Sequence, residues 1–215
     1  MKIDPAGWPF VGAALLLTAV GTWLGGAAAG ALFLALTVAL LLFFRDPERH
    51  PPADPAAIVS PADGRVLVAG PAQPGVAPPG EWLQISVFLS PLDVHVNRVP
   101  ASGRVTHVTY RPGRYLAAYR PEAAGSNVCS EVWVDHDGQP IVFRQIVGVL
   151  ARRVVCRLAP GREVSAGERF GVMKFGSRMD VFVPATAIVC VAVGEHVRGG
   201  ETVIARLSAL GSRLS

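Results

Sequence analysis

The sequence feature that most constrains the fold is a stretch from Gly7 to Phe44 without a single charged side chain. It contains two apolar runs, Trp8–Leu24 and Ala27–Phe44, which Gly25-Gly26 separates. A bilayer core of about 30 Å needs about 20 helical residues. The stretch is therefore too long for one span, and each run is barely long enough alone. This pattern predicts a hydrophobic helical hairpin in a membrane, with a single tilted or interfacial helix as the alternative.

Positive charges flank this apolar stretch, with Lys2 before it and Arg45 and Arg49 after it. A secretory signal peptide would have an apolar region of only about 7–15 residues. The positive-inside rule places both flanks in the cytoplasm. We therefore expect a cell-membrane protein whose body lies on the cytoplasmic face, and a formal net charge of +4 suits an anionic lipid surface.

Nucleic-acid and metal binding are not expected from this composition. The chain has neither a basic low-complexity arm nor zinc-finger spacing. Its 3 cysteines are far apart and form no CxxC motif, which argues against a structural zinc site or a disulfide framework.

A proline-rich segment follows the apolar stretch and divides the chain. Four prolines between Arg45 and Pro55 are incompatible with a regular helix or a central strand. The predicted organisation is a membrane segment of two short helices at 1–44, a linker at 45–57 and a catalytic β domain at 58–215.

The body after Ile58 has a β pattern, with short apolar runs between Gly, Pro and Asp turns. Helix is predicted only around Gly148–Arg153 and Tyr115–Tyr119. Two segments with Gly-Glu turns, Val164–Gly171 and Val193–Glu201, resemble the hammerhead strands of biotinyl and lipoyl domains. The predicted fold class is mainly β, a barrel-sandwich hybrid with few short helices, preceded by the hydrophobic helical hairpin.

Three short segments carry residues that could perform chemistry: Asp63 in a turn, His95 on an apolar run, and Gly176-Ser177 between two strands. Taken singly, each is typical of an ordinary turn or a structural histidine. Together, a carboxylate could orient the histidine, which could activate the serine hydroxyl. Ser177 lacks the Gly-x-Ser-x-Gly elbow of a hydrolase. It follows a glycine of little steric bulk, so its hydroxyl could attack the Gly176 carbonyl and cut the backbone.

Five motifs in this order resemble the short, archaeal-type form of pyruvoyl-dependent phosphatidylserine decarboxylase. They extend from about Phe44 to Pro184. The motifs are Phe44-Arg-Asp-Pro-Glu-Arg, Ser60-Pro-Ala-Asp-Gly, Ser90-Pro-Leu-Asp-Val-His-Val-Asn-Arg, Gln145-Ile-Val-Gly-Val-Leu-Ala-Arg-Arg-Val-Val and Phe175-Gly-Ser-Arg-Met-Asp-Val-Phe-Val-Pro.

The resemblance implies a self-cleaving enzyme. His95, oriented by Asp63, would take the proton of Ser177, whose oxygen would attack Gly176. The products would be a β chain, 1–176, and an α chain, 177–215, which form a heterodimer or a dimer of such heterodimers. Ser177 would become a covalent pyruvoyl group that forms a Schiff base with the amine of phosphatidylserine. Loss of carbon dioxide would give phosphatidylethanolamine, with His95 as general base and acid.

The chain departs from the longer bacterial enzymes of this family at Arg98, where those enzymes have a second histidine. The family's Asn-Glu-Arg is replaced here by Asn127-Val-Cys, which leaves the role of that loop in head-group recognition open. Arg98, Lys174 and Arg178 are the candidate substrate-binding residues. The candidate donors to the head-group phosphate are Arg65, Lys174, Arg178, Arg111 and Arg114, each of which could instead be solvated surface charge.

Three alternatives remain open at the level of sequence. Val172-Met-Lys-Phe resembles the hairpin that carries biotin, with Lys174 as the attachment point. The chain could also be a non-catalytic, membrane-anchored adaptor, or a pyruvoyl decarboxylase acting on a soluble amino acid. Only the pyruvoyl enzymes require a chain split before residue 177.

Overall fold

The computed structural model describes residues 2–149, 154–173 and 176–208. Its helices are α1 (Trp8–Phe43) and α2 (Ala123–Ser126), with a 3-10 turn at Pro5–Gly7. The strands are β1 (Lys2–Ile3), β2 (Arg45–Asp46), β3 (Ala57–Val59), β4 (Gly64–Pro71), β5 (Trp82–Leu89), β6 (Val96–Arg98), β7 (Gly103–Arg111), β8 (Cys129–His136), β9 (Gln139–Val147), β10 (Val154–Cys156), β11 (Glu163–Val164), β12 (Arg169–Met173), β13 (Ser177–Pro184), β14 (Ile188–Val189), β15 (His196–Val197) and β16 (Val203–Arg206).

The apolar stretch forms one helical element, α1, where the sequence predicts two separate helices. Within α1, Gly26 has a non-helical backbone (φ 71°, ψ −169°), a conformation that glycine adopts at little cost. The hydroxyl oxygens of Thr18 and Thr37 are 3.3 Å apart. In an unbroken helix, 19 residues would separate them by roughly 28 Å. The two arms of α1 on either side of Gly26 therefore lie side by side.

The two ends of α1 meet at its base and are fixed to the body. Strands β1 and β2 pair antiparallel there, and the Asp4 amide donates to the Phe44 carbonyl at 3.0 Å. Arg157 donates to both carboxylate oxygens of Asp4, at 2.8 and 3.0 Å. Arg98 forms an ion pair with Asp46 at 3.0 Å. These contacts hold the base of α1 at a defined place on the β domain.

The surface of α1 is apolar around most of its circumference. Leu16, Trp23 and Leu24 are exposed, Trp23 by 83%. By length and composition, the segment Pro5–Phe43 could cross a membrane. A long helix whose large apolar side chains are exposed is typical of a surface that contacts lipid or another apolar partner.

The predicted mainly β fold is confirmed. An eight-stranded antiparallel sheet has the order β11-β7-β8-β9-β13-β5-β4-β15, and three-stranded sheets β10-β12-β6 and β14-β16-β3 accompany it. The helix predicted at Tyr115–Tyr119 is wrong, because this segment is irregular and the short helix α2 lies further along the chain. Of the helix predicted at Gly148–Arg153, residues 150–153 lie outside the described residues.

The central strand β13 separates two different environments. Met179 and Val181 face the main hydrophobic core together with Ile85 and Val87 of β5. Successive side chains alternate between the faces of a strand. Arg178 and Asp180 therefore face the other side, and the side chain of Ser177 shares the core-facing side with Met179.

Candidate active site

Ser177 begins β13 and is held between two neighbouring strands. It is opposite Leu89 of β5 and Val147 of β9. The residue is fully buried, and within the described part of the chain its hydroxyl oxygen has no hydrogen-bond partner. Buried hydroxyls are nearly always paired. An unpaired one at the start of a central strand is therefore a candidate reactive group.

Gly176, on the other side of the same peptide bond, has φ +72°, a conformation that a residue with a side chain rarely adopts. Its carbonyl oxygen lies against Gly148, where an added Cβ would be only 2.2 Å away. Gly148 follows β9 directly, so the register of β9 and β13 places it there. The Gly176 carbonyl can therefore lie this close to residue 148 only because Gly148 has no side chain.

His95 follows a tight turn in which the Ser90 amide donates to the Asp93 carboxylate at 2.8 Å. The imidazole Nδ1 is 2.9 Å from the Asp93 carbonyl. Because a carbonyl can only accept, Nδ1 carries the proton and Nε2 has a free lone pair. Nε2 is buried without a partner among the described residues, and the ring centroid is 4.0 Å from that of Phe43.

Burial lowers the pKa of His95 from 6.5 to about 4, and the Asp93 carbonyl opposes this shift only in part. The imidazole is therefore neutral near pH 7. The backbone amide of Met173, the last residue of β12, donates to the His95 carbonyl at 3.3 Å. Ser177 begins the next strand, so His95 and Ser177 lie beside the same β12–β13 connection.

The Asp63 carboxylate is hydrogen-bonded to groups other than His95, and its predicted orienting role stays a prediction. Its carboxylate accepts from Arg49 at 2.7 Å and from the Gly199 amide at 2.8 Å. Arg49 also forms an ion pair with Glu201 at 3.0 Å. Asp63 thus fixes the proline-rich segment to the β15–β16 turn. The group that orients His95 is the Asp93 carbonyl, which the Ser-Pro-Leu-Asp turn just before the histidine could have suggested.

Of the predicted substrate-binding residues, the structure describes Arg98 and Arg178, which are buried in internal contacts. Arg98 is 4% exposed, and it donates to Asp46, to the Gly167 carbonyl and to the Pro47 carbonyl. Burial lowers the pKa of its guanidinium. Arg178 is 1% exposed and forms an ion pair with Asp180 at 2.6 Å, on the face of β13 opposite Ser177. Both arginines thus serve internal contacts, and Lys174 lies outside the described residues.

Two buried amides next to the site were not predicted as functional. The Gln145 side-chain nitrogen donates to the Asn97 side-chain oxygen at 2.8 Å, and both residues are almost fully buried. Both belong to the quoted motifs, but a sequence gives no sign that two amides 48 positions apart face each other.

A cavity and a groove lie next to the site, and Pro91 lines both of them. A cavity of about 170 Å³ is bounded by Gly176, Gly148, Phe88 and Tyr119. An apolar groove of about 520 Å³ lies along the end of α1, lined by Leu36, Ala39, Leu40, Leu42, Phe43, Arg45, Pro91 and Leu92. A further cavity of about 550 Å³ lies at the opposite end of β5, away from His95.

In the described residues, no group of three or more His, Cys, Asp or Glu side chains could hold a metal ion. Among the described residues, the groups available for chemistry are a hydroxyl without a hydrogen-bond partner, a neutral imidazole whose Nε2 has no partner, and the Gly176 carbonyl.

Comparison with known proteins gives the family. The family model for phosphatidylserine decarboxylase matches residues 36–205. Proteins named phosphatidylserine decarboxylase proenzyme are similar over most of the chain. The one from Desulfotalea psychrophila is 40% identical over 202 residues, 94% of each chain. The one from Salinibacter ruber is 49% identical over 171 residues, 78% of this chain and 75% of its own. The one from Paramagnetospirillum magneticum is 42% identical, covering 95% of this chain and 87% of its own.

Proposed function

Because the chain belongs to the phosphatidylserine decarboxylase family, we propose that it converts phosphatidylserine to phosphatidylethanolamine in phospholipid biosynthesis. We further propose that its cofactor is a pyruvoyl group made from Ser177. The chain would then work as a heterodimer of its own pieces, 1–176 and 177–215.

The observation that carries this proposal is the buried, unpaired hydroxyl of Ser177. A hydrogen-bond partner would restrict its lone pairs, and here none of the described residues does so. The preceding Gly176 has no side chain to obstruct attack on its carbonyl, which lies against Gly148. These features suit attack by a hydroxyl on its own peptide bond.

In the proposed maturation, Nε2 of His95 takes the Ser177 proton while the oxygen attacks the Gly176 carbonyl carbon. The C–N bond breaks, its nitrogen takes a proton, and an ester replaces the amide. Elimination then releases the Gly176 carboxylate and leaves a dehydroalanine at 177. Water replaces the nitrogen, which departs as ammonia, and a pyruvoyl group remains.

The pyruvoyl group supplies a carbonyl that withdraws electrons from the substrate carbon as carbon dioxide leaves. The position of Ser177 fits such a group, because it is fully buried at the start of the central strand β13. In turnover, His95 delivers a proton to the carbon that has lost its carboxylate. Because burial lowers the pKa of His95 to about 4, its protonated form gives up a proton readily.

The surroundings of His95 support approach of the lipid from the membrane side. Phe43 at the end of α1 packs on the histidine ring, and the apolar groove beside it contains Arg45 at one end. An acyl chain could lie along the groove while the head group reaches Ser177. The chain enters and leaves α1 at the same end of the helical segment, since β1 before it pairs with β2 after it. With Lys2, Arg45 and Arg49 at that end, we propose that the catalytic domain faces the cytoplasm.

The test is the chain pattern of purified protein under denaturing conditions. Wild type should give two pieces split before residue 177, the smaller one blocked at its N-terminus. Ser177→Ala should give one 22.6 kDa chain without decarboxylase activity. Ser130→Ala, at a buried serine in the same sheet, is the matched control and should cleave like wild type. Cleavage or decarboxylation by Ser177→Ala would overturn the proposal, and an intact biotinylated wild-type chain would identify a carrier instead.

A further inference from the structure

Four side-chain atoms on β13, β9, β6 and the residue before β6 are buried without a hydrogen-bond partner in the described part of the fold. They are Ser177 Oγ, His95 Nε2, Asn97 Nδ2 and Gln145 Oε1. The proposed reaction uses the first two and leaves the amides unexplained. An unpaired buried donor or acceptor costs stability. Two of them beside a reactive serine and histidine therefore suggest a ligand.

The strand register places Gln145 next to Ser177. Ser177 is opposite Val147, and Met179 is opposite Gln145 in the same pair of strands. Side chains two residues apart on a strand share a face, and paired residues share it as well. Ser177 and Gln145 are thus diagonal neighbours on one face, with Cα atoms about 7–8 Å apart.

Asn97 lies on the same side, two residues after His95, and joins the site through Gln145. The Gln145 amide nitrogen donates to Asn97 Oδ1 at 2.8 Å and to the Val155 carbonyl at 3.1 Å. A backbone carbonyl can only accept, so the contact with Val155 fixes which end of the Gln145 amide is nitrogen. Asn97 must then accept from that nitrogen. The free atoms are consequently one donor, Asn97 Nδ2, and one acceptor, Gln145 Oε1.

The Asn97–Gln145 amide pair requires a glycine at position 171 of the neighbouring strand β12. At Gly171 of β12, an added Cβ would be 2.2 Å from the Val155 carbonyl oxygen and 2.7 Å from the Gln145 amide nitrogen. The absence of a side chain at Gly171 therefore permits the contact between Gln145 and Val155 that orients both amides.

We propose that Asn97 and Gln145 bind the amino-acid part of the lipid head group, an inference that rests on the proposed function. The Asn97 Nδ2 donates to the substrate carboxylate, and the Gln145 Oε1 accepts from its amine. A donor next to an acceptor matches a carboxylate next to an amine. Cleavage after Gly176 removes the covalent link between β12 and β13.

The neutrality of this pair suits a decarboxylase. A guanidinium would stabilise the carboxylate of the bound substrate strongly and would lose that interaction as carbon dioxide leaves. Asn97 and Gln145 are 0% and 1% exposed. A neutral amide in this dry site holds the carboxylate in place while stabilising its charge less than water would.

The test compares two lipids that differ in the carboxylate. Phosphatidylserine carries it, whereas phosphatidylethanolamine lacks it and keeps the amine. In purified, self-cleaved enzyme in mixed micelles, Asn97→Ala should raise KM for phosphatidylserine roughly 10- to 100-fold, as for loss of a hydrogen bond to a charged group. Inhibition by phosphatidylethanolamine should stay within about twofold of wild type, since this lipid does not use the Asn97 contact. Gln145→Met should weaken both lipids about tenfold. Asn97→Ser keeps a donor and should recover part of the loss.

Gln139→Met is the matched control, since Gln139 is in the same strand about 20 Å from Gln145 and should change neither constant. If Asn97→Ala weakens both lipids equally, or neither, the assignment is overturned. It is also overturned if Asn97→Ala and Asn97→Ser both block self-cleavage, because the pair then serves maturation. Failure of the proposed function would be seen separately, as a wild-type chain that neither splits nor decarboxylates.

Discussion

Substitution of Gly148 by alanine should stop self-cleavage while leaving the fold intact. The new Cβ would be 2.2 Å from the Gly176 carbonyl oxygen, whereas ordinary contacts are 3.4–4 Å. The carbonyl must therefore move by about 1 Å, and a misplacement of about 1 Å in a reacting group can cost about 100-fold in rate. The second neighbour, the Ala118 Cβ, would be at 3.4 Å and needs no adjustment.

The rate can be measured by pulse-labelling newly made chain and following conversion of the 22.6 kDa species into two pieces. We expect Gly148→Ala to slow this conversion about 100-fold, with a melting temperature near that of uncleaved Ser177→Ala. Gly125→Ala is the matched control, because an added Cβ in α2 meets nothing within 4 Å. Conversion of Gly148→Ala at the wild-type rate would refute the idea that the position of the Gly176 carbonyl controls cleavage.

Three further predictions follow from the same contacts. Because burial lowers the pKa of His95 from 6.5 to about 4, the unfolded chain binds a proton between these values that the folded chain does not. Stability of the uncleaved Ser177→Ala protein should therefore fall by about 3 kcal/mol as pH drops from 6.5 to 4. When His95→Gln is added to this variant, the loss of unfolding free energy between pH 6.5 and 4, measured by urea titration, should disappear. If the free energy of unfolding still falls by the same amount, the histidine is not buried and neutral. Arg157→Ala leaves the 2%-exposed carboxylate of Asp4 without its ion pair and should destabilise the base of α1 by about 1–3 kcal/mol, visible as faster amide exchange in β1 and β2. Equal exchange in variant and wild type would contradict this. Leu92, 84% exposed beside the end of α1, should contact lipid, so Leu92→Asp should reduce activity on vesicles several-fold but spare a short-chain, water-soluble phosphatidylserine. Equal losses on both substrates would argue against membrane contact.

Much of the fold follows from local pattern. The uncharged stretch predicts the apolar helix, and alternation with regular turns predicts a mainly β body; both are confirmed. That α1 forms one helical element was not predicted, because Gly25-Gly26 indicates two separate helices with a break between them. Tyr115–Tyr119 was assigned to a helix on its local pattern, yet the Asn127 side chain holds Leu116 by two backbone hydrogen bonds in an irregular conformation.

The candidate site was only partly accessible from sequence. Ser177, Gly176 and His95 stand out because their motifs are ordered along the chain, and the roles assigned to them remain proposals. The contact between Asp63 and His95 could not be judged, because both are short motifs in turns and only the packing decides which groups meet. Asp63 is occupied by Arg49 and Gly199, from segments that are distant in sequence.

The sequence by itself determined the apolar N-terminal helix, the β character of the body and the glycine–serine pair at 176–177, because each depends on residues that are adjacent or regularly spaced. The tertiary structure alone decided what surrounds Ser177. Strand register places Val147 and Gln145 beside it. The turn at Ser90 brings the Asp93 carbonyl to His95. The absence of a side chain at Gly148 lets the Gly176 carbonyl lie close to it. These relations join residues that are far apart in the chain, and only the pairing of strands brings them within contact distance.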